Sequence, residues 1–299
     1  MDYAIGIDLG GSSVKAVAIT TQGEILQRAN QDFDVGEHFN WAETIKEVFD
    51  RLQKEQGTAA SCFGLAAPGL ASRDHLCIAF MRGRLHGPEE LNWTEYLGAK
   101  RKVPVLNDAH AALLGEAWLG AAKGMTDIIM LTLGTGVGGA AIVDGHLLQG
   151  QIGRAGHLGH NCLNMDAPVD VTGIPGSIEY FIGNYNVQER TYGRFPTTHA
   201  LVDAFSRGDP YAAQIWMNSI RALAATISTY VNVLDPEAVI IGGGVARAGK
   251  ALFDPLEQAL RPIEWKPGGH QVKLIPAQLG EFAGAIGSAR NALMKCGAE

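Results

Sequence analysis

Leu133-Gly134-Thr135-Gly136-Val137-Gly138-Gly139-Ala140-Ala141-Ile142-Val143 reads as a strand, a glycine-rich turn and a second strand. The same arrangement stands earlier in the chain, at Leu9-Gly10-Gly11-Ser12-Ser13-Val14-Lys15-Ala16-Val17-Ala18-Ile19. Even the following turns correspond, Gln22-Gly23-Glu24-Ile25-Leu26-Gln27 with Asp144-Gly145-His146-Leu147-Leu148-Gln149. A supersecondary unit that occurs twice, each time at the head of a similar series of elements, points to a duplicated lobe.

Working outward from the first copy, Tyr3 to Ile7 precedes the turn and Glu24 to Gln31 follows the second strand, which makes an antiparallel meander. An amphipathic helix from Trp41 to Gln56, a buried strand from Ser61 to Ala66, a short strand from Val103 to Leu106 and a helix from Asp108 to Leu119 complete one α/β lobe. After the second copy come a long helix, Ala212 to Leu234, and a strand, Ala238 to Ile241, opening into Gly242-Gly243-Gly244. A helix at Lys250 to Leu260, a strand at Gln271 to Ile275 and a terminal helix from Glu281 follow. The predicted domains are residues 1–118, joined by the C-terminal helix at 283–299, and a larger lobe at 119–282.

A chain of 299 residues, 46% hydrophobic and 18% charged, suits two cores in water, and no apolar run approaches the length of a membrane span. The first residues carry no basic segment and no cleavage pattern, so no export signal is expected. Cys62, Cys77, Cys162 and Cys296 form no CxxC pair, which fits a reducing cytoplasm. A net charge of −7 without a basic run argues against a nucleic-acid surface.

Glycine-rich turns at equivalent places in two lobes have two readings. They are hairpin turns in which glycine supplies positive φ, or they hold a triphosphate from two sides, because backbone N–H groups without a nearby Cβ make an anion-binding concavity. The pairing, with a third cluster at Gly242, favours the second reading.

Six segments, in order, resemble the ROK family of repressors and sugar kinases. They are Gly6-Ile7-Asp8-Leu9-Gly10-Gly11-Ser12-Ser13-Val14-Lys15, Ala67-Pro68-Gly69, Asn107-Asp108-Ala109-His110-Ala111-Ala112, Leu133 to Gly139, Gly156-His157-Leu158-Gly159-His160, and Asp235 to Gly244. The resemblance covers nearly the whole chain. It implies a two-lobed actin/hexokinase-like fold, ribonuclease H-like in each lobe, with an interlobe cleft, and ATP-dependent phosphorylation of a sugar by a cytoplasmic homodimer. The family's repressors carry a DNA-binding segment before the first phosphate motif; here that motif begins within the first ten residues, so the kinase branch is expected.

Transfer of a γ-phosphoryl group to an alcohol needs a base for the hydroxyl proton and neutralisation of the phosphates. Asp108, at a strand-to-helix junction, matches the family's catalytic aspartate; the alternative is that Asn107 or Asp108 only caps the helix. Asp8, Gly10, Gly11 and Ser12 match the first phosphate motif, with Asp8 expected to orient Mg²⁺, which commonly needs only one protein carboxylate. Lys15 either neutralises phosphate or is a solvated residue on an edge strand. Gly134, Thr135 and Gly136 are the second phosphate turn, and Gly242, Gly243 and Gly244 the adenosine side.

The sugar-contacting candidates are Asn107, His157, His160 and Glu179, and here the chain departs from its family. Family kinases have Gly-Glu-x-Gly-His, whose Glu and His touch the sugar, but His157 replaces that glutamate. An asparagine that contacts the sugar is not evident around Met81 to His86. The family's Cys-x-Cys-Gly-x-x-Gly-Cys-x-Glu, whose thiolates bind a structural zinc with the histidine, is Asp170-Val171-Thr172-Gly173-Ile174-Pro175-Gly176-Ser177-Ile178-Glu179. Without thiolates no zinc cage of that kind is expected; a remodelled site of His157, His160, Cys162 and Asp170 stands as the lesser alternative. Two other functions compete with the kinase: a sugar- or nucleotide-binding regulator without catalysis, and an ATPase or kinase acting on a non-sugar acceptor.

Overall fold

The computed structural model describes residues 2–34, 40–81, 85, 87, 89 and 91–297. Arg82, Gly83, Arg84 and His86, where a sugar-contacting asparagine was sought, lie outside them. The chain divides into two compact units, one of Met1–Gly124, Leu147–Gly156 and Gln278–Glu299, the other of Met125–His146 and His157–Ala277.

The first unit begins with β1 (Tyr3–Leu9), β2 (Ser13–Thr20), β3 (Ile25–Asp32), α1 (Asn40–Gln56) and β4 (Cys62–Ala67). It continues with β5 (Leu70–Ala71), β6 (Ile78–Phe80), α2 (Trp93–Tyr96), β7 (Val105–Asn107) and α3 (Asp108–Leu119). The second holds β8 (Ile128–Leu133), β9 (Val137–Val143), the first residue of β10 (His146–Leu147), α4 (Ile178–Ile182), α5 (Val187–Arg190), α6 (Thr198–Ser206), α7 (Pro210–Leu234), β11 (Ala238–Gly242), α8 (Lys250–Leu260) and β12 (Lys273–Pro276). The last helix, α9 (Ala283–Cys296), returns to the first unit.

The two main sheets have one topology, β3-β2-β1-β4-β7 and β10-β9-β8-β11-β12. In each, an antiparallel hairpin is followed by parallel strands: β1 runs antiparallel to β2 and parallel to β4, and β8 antiparallel to β9 and parallel to β11. The duplication read from two glycine-rich turns is therefore a duplication of whole sheets. Lys15 is not on an edge strand, because β2 lies between β3 and β1; three strands of similar alternation do not reveal which is outermost.

Burial explains the elements. β4 and β11 are buried at every residue, as strands covered on both faces must be. The apolar face of α1 buries Trp41, Ile45, Val48, Phe49 and Leu52. Asp209 caps α7 by accepting from the N–H groups of Tyr211 and Ala212, and Pro210 occupies the first helical position, where no N–H is needed. One close approach decides the first unit: a Cβ at Gly6 or Gly64 would run into the main chain of α9 at Ala285 or Ser288. The small face Ala285, Ser288 and Ala289 lets that helix lie directly on β1 and β4, where the Ser288 hydroxyl donates to the Ile7 carbonyl at 3.1 Å. Among the described residues no helix is long and apolar enough to cross a membrane.

Candidate active site

In the first unit the parallel strands end together. Asp8 pairs with Ala66 of β4, and Ala67 pairs with Asn107 of β7, so the carboxyl ends of β1, β4 and β7 form one rim, where ligands bind in open α/β sheets. Asn107 is buried and caps α3: its Oδ1 accepts from the N–H groups of Ala109 (2.9 Å) and His110 (3.3 Å), and its Nδ2 donates to the Gly69 carbonyl at 3.1 Å. It also hydrogen-bonds the Asp108 carboxylate. The cap reading of this pair thus applies to Asn107. Asn107 is the cap, with its amide spent on protein partners, and Asp108 is left as the first helical residue, half-buried, with Oδ1 on the Ala109 N–H at 2.8 Å.

Burial pushes the Asp108 carboxyl up, against the opposing pull of the Ala109 N–H and the Asn107 side chain. Asp8 is raised to about 7, first by burial and then by the charge of Asp108, with Lys15 pulling the other way. Lys15 is its direct cross-strand partner, and the Lys15 ammonium donates to Ser13 Oγ at 3.1 Å. The Asp8 carboxylate occupies the room that a side chain at Gly284, in the first turn of α9, would fill. The turn after β1 closes by Gly10 N–H to the Ser13 carbonyl at 2.9 Å and leaves Gly11 and Ser12 exposed.

Two carboxylates that resist joint ionisation make a cation-seeking rim and a stability cost. Between pH 4 and 7 the folded chain keeps the Asp8 proton that the unfolded chain has lost, so stability without ligand falls as the pH rises through that window. Asp8→Asn is expected to raise the stability of the ligand-free protein at pH 8 by about 2 kcal/mol, with no gain near pH 4. Thermal denaturation at the two pH values checks it, and an equal change at both would contradict the assignment.

In the second unit the β8–β9 turn is held by Glu179. Its Oε2 accepts from the Val137 N–H at 2.8 Å, in space that exists only because residue 136 has no Cβ. Gly134 N–H closes on the Gly136 carbonyl at 2.9 Å, and the carbonyls of Gly134 and Thr135 accept from Asn184 (3.0 Å) and Tyr185 (2.9 Å). Thr135 itself is exposed at the tip. Gly242 pairs with Thr132, and Gly243 takes a positive φ of 87° against Leu133, so the third glycine cluster lies beside the same turn.

His157 precedes and His160 ends a short 3₁₀ turn at Leu158–His160. That turn is pinned by the Tyr230 hydroxyl on the Leu158 carbonyl (2.5 Å) and by Gly159 lying against Val137. His160, Asp170 and Glu179 converge, with one donor atom of each within 4.8 Å of the others. Burial raises the Glu179 carboxyl, opposed by the Val137 N–H and by His160, and its Oε1 is buried without a hydrogen-bond partner. Cys162 is exposed and absent from this cluster, so the remodelled grouping considered from the sequence has Glu179 in place of Cys162 and His157. Sequence reasoning missed the brace beneath it. Half-buried Arg190 donates to Asn186, Ser219 and the Gly183 carbonyl, and no motif marks it, since its partners come from two separate segments, the turn at 183–186 and α7.

The model of the ROK family matches residues 4–295. A glucokinase of Thermotoga maritima is 31% identical over 95% of each chain. The fold is similar to that of a ROK hexokinase from Thermus thermophilus, with a TM-score of 0.87 at 29% identity, covering 99% of this chain and 100% of that one. It is similar also to a ROK family glucokinase from Streptomyces griseus in complex with glucose and AMPPNP, with a TM-score of 0.79 at 25% identity, covering 98% and 99%. A family match that extends from β1 into α9, joined to a similar fold over nearly the whole chain, leaves one conclusion: the chain belongs to the ROK family.

Proposed function

We propose that this chain is an ATP-dependent sugar kinase in which Asp108 takes the proton of the attacking hydroxyl. The observation that carries the reading is the half-buried Asp108 at the carboxyl end of β7, raised by burial above an ordinary carboxylate and held in place by Asn107. A carboxylate made more basic by its surroundings is a better proton acceptor near neutral pH, and its rim position leaves it open to a substrate.

Asp8 is the fitting partner for Mg²⁺ arriving with ATP, since its repulsion by Asp108 is relieved by a divalent cation. Bound there, Mg²⁺ would supply charge neutralisation for the phosphates; Asp8 is the residue that would hold it, and Lys15 adds a positive charge from the facing strand. Gly11 and Ser12 of the first turn, and the exposed Thr135 with Gly136 of the second, supply N–H and hydroxyl donors for phosphate oxygens, while Gly10 has spent its N–H on the Ser13 carbonyl. Gly134 has already spent its N–H inside the turn and contributes through its missing side chain. Gly242 to Gly244 border the nucleoside. His157, His160 and Glu179 face the sugar, where the unpartnered Glu179 Oε1 calls for a hydroxyl donor. Asn107 serves by positioning Asp108.

Sugar-dependent ADP release from MgATP, across hexoses, amino sugars and N-acetylated sugars, tests the reading. Turnover with at least one sugar is expected. Sugar binding without turnover would replace the kinase by a regulator, and ADP release indifferent to every sugar would replace it by an ATPase for another acceptor. Four free, unpaired cysteines fit a cytoplasmic setting, and the family likeness fits a homodimer, which sedimentation of the native chain checks.

A further inference from the structure

The family resemblance implies a zinc ion beside the sugar-binding histidine, and the residues at hand do not fit one. Thr172 and Ser177 carry hydroxyls where thiolates would be needed. The donor atoms are also already engaged. Asp170, with a fully buried side chain, accepts through Oδ1 from Thr172 N–H (2.8 Å), Thr172 Oγ1 (2.7 Å) and Ile174 N–H (3.0 Å). Ser177 hydrogen-bonds the same carboxylate while its Oγ accepts from the Tyr180 N–H at 3.3 Å, capping α4. The remaining contact is Asp170 Oδ2 to His160 Nδ1, at 3.3 Å. A cation here would have to displace donors that already satisfy the charge.

We propose that Asp170 is a positioning residue that does without metal what the zinc would do, holding the His160 ring by its Nδ1–H so that the opposite nitrogen, Nε2, is offered to a sugar hydroxyl beside Glu179 Oε1. This rests on the reading of His160 as a sugar contact. Burial alone would raise the Asp170 carboxyl, but hydrogen bonds from Thr172, Ser177 and the backbone of Ile174 overcome it and hold it at about 2. It is therefore an acceptor only, and an imidazole nitrogen facing it must be the donor. The preserved spacing makes this work: Gly173 and Gly176 take positive φ (88° and 51°), which folds the segment back so that Asp170, Thr172 and Ser177 meet. Glu179 is the second residue of the helix that Ser177 caps, so the carboxylate that steadies His160 also fixes the start of the helix that presents Glu179.

Asp170→Asn discriminates sharply. The amide oxygen can keep the Thr172 and Ile174 bonds, while its NH₂ confronts His160 Nδ1 and reverses that hydrogen bond. Nitrogen NMR of histidine-labelled protein, assigned with His160→Gln, is expected to show the Nδ1–H form at His160 in the native chain and the Nε2–H form in the variant. The sugar KM is expected to rise about 10- to 100-fold, with kcat and the ATP KM nearly unchanged. Native protein equilibrated with zinc chloride and then dialysed is expected to retain well under one equivalent.

A native His160 without a hydrogen on Nδ1, or one tightly retained zinc per chain, overturns the proposal, and both are read on unmutated protein whatever the variant's folding. A reversed tautomer with an unmoved sugar KM overturns the link from Asp170 to the sugar. Sugar-dependent ADP release by the native enzyme would then still stand, so the two failures are told apart.

Discussion

Asp108→Asn is expected to lower kcat for sugar-dependent ADP release by about two to four orders of magnitude, with the KM values for sugar and ATP changed far less. The substitution is nearly isosteric. The amide oxygen can still accept the Ala109 N–H, and the Asn107 cap of α3 rests on Ala109, His110 and Gly69 rather than on this side chain. What disappears is the acceptor for the hydroxyl proton. Because burial raises the native carboxyl, its loss should not cost stability, and the variant is expected to melt no lower than the native protein at pH 8. A folded variant that turns over within a few-fold of native would remove Asp108 from the chemistry; a variant that fails to fold would show that the residue serves α3 instead.

Gly136→Ala carries the second large effect. The new Cβ would stand where the Glu179 carboxylate now meets the Val137 N–H. Either the turn deforms or Glu179 leaves it, stranding a buried N–H and a buried charge together, at a cost of about 1–3 kcal/mol. The expected result is a lower melting temperature and a sugar KM raised at least about tenfold, in line with that energy. Gly134→Ala makes the contrast, since its Cβ would meet no atom within 4 Å. Its melting temperature should match the native value, and its defect, where phosphate oxygens approach that turn, should fall on the ATP KM. Equal thermal and kinetic behaviour of the two variants would dissolve the distinction between a turn braced by Glu179 and a turn open to phosphate.

These contrasts mark how much of the site was legible in the chain. Asp8, the glycine turns and Asn107-Asp108 were visible because each is a short local signal at the end of an apolar run. That Asn107 and not Asp108 caps α3 was not, because either side chain can serve as a cap until the backbone N–H groups are in place. Glu179 was placed with the sugar; that it also braces the Gly134–Gly136 turn depends on a contact spanning more than forty positions. Arg190 left no trace in any pattern, and the short helices α4 and α6 fell below the length at which periodicity speaks.

Local order along the chain was sufficient for the duplicated α/β architecture, because apolar alternation, helix caps and glycine turns act over a few residues and occur here twice in the same series. Strand order, the inner place of Lys15, the seat of α9 against Gly6 and Gly64, and the meeting of His160, Asp170 and Glu179 were set by packing between distant segments. Burial, charge repulsion and the demand that each buried donor find an acceptor are properties of the assembled neighbourhood, and no window of sequence contains them.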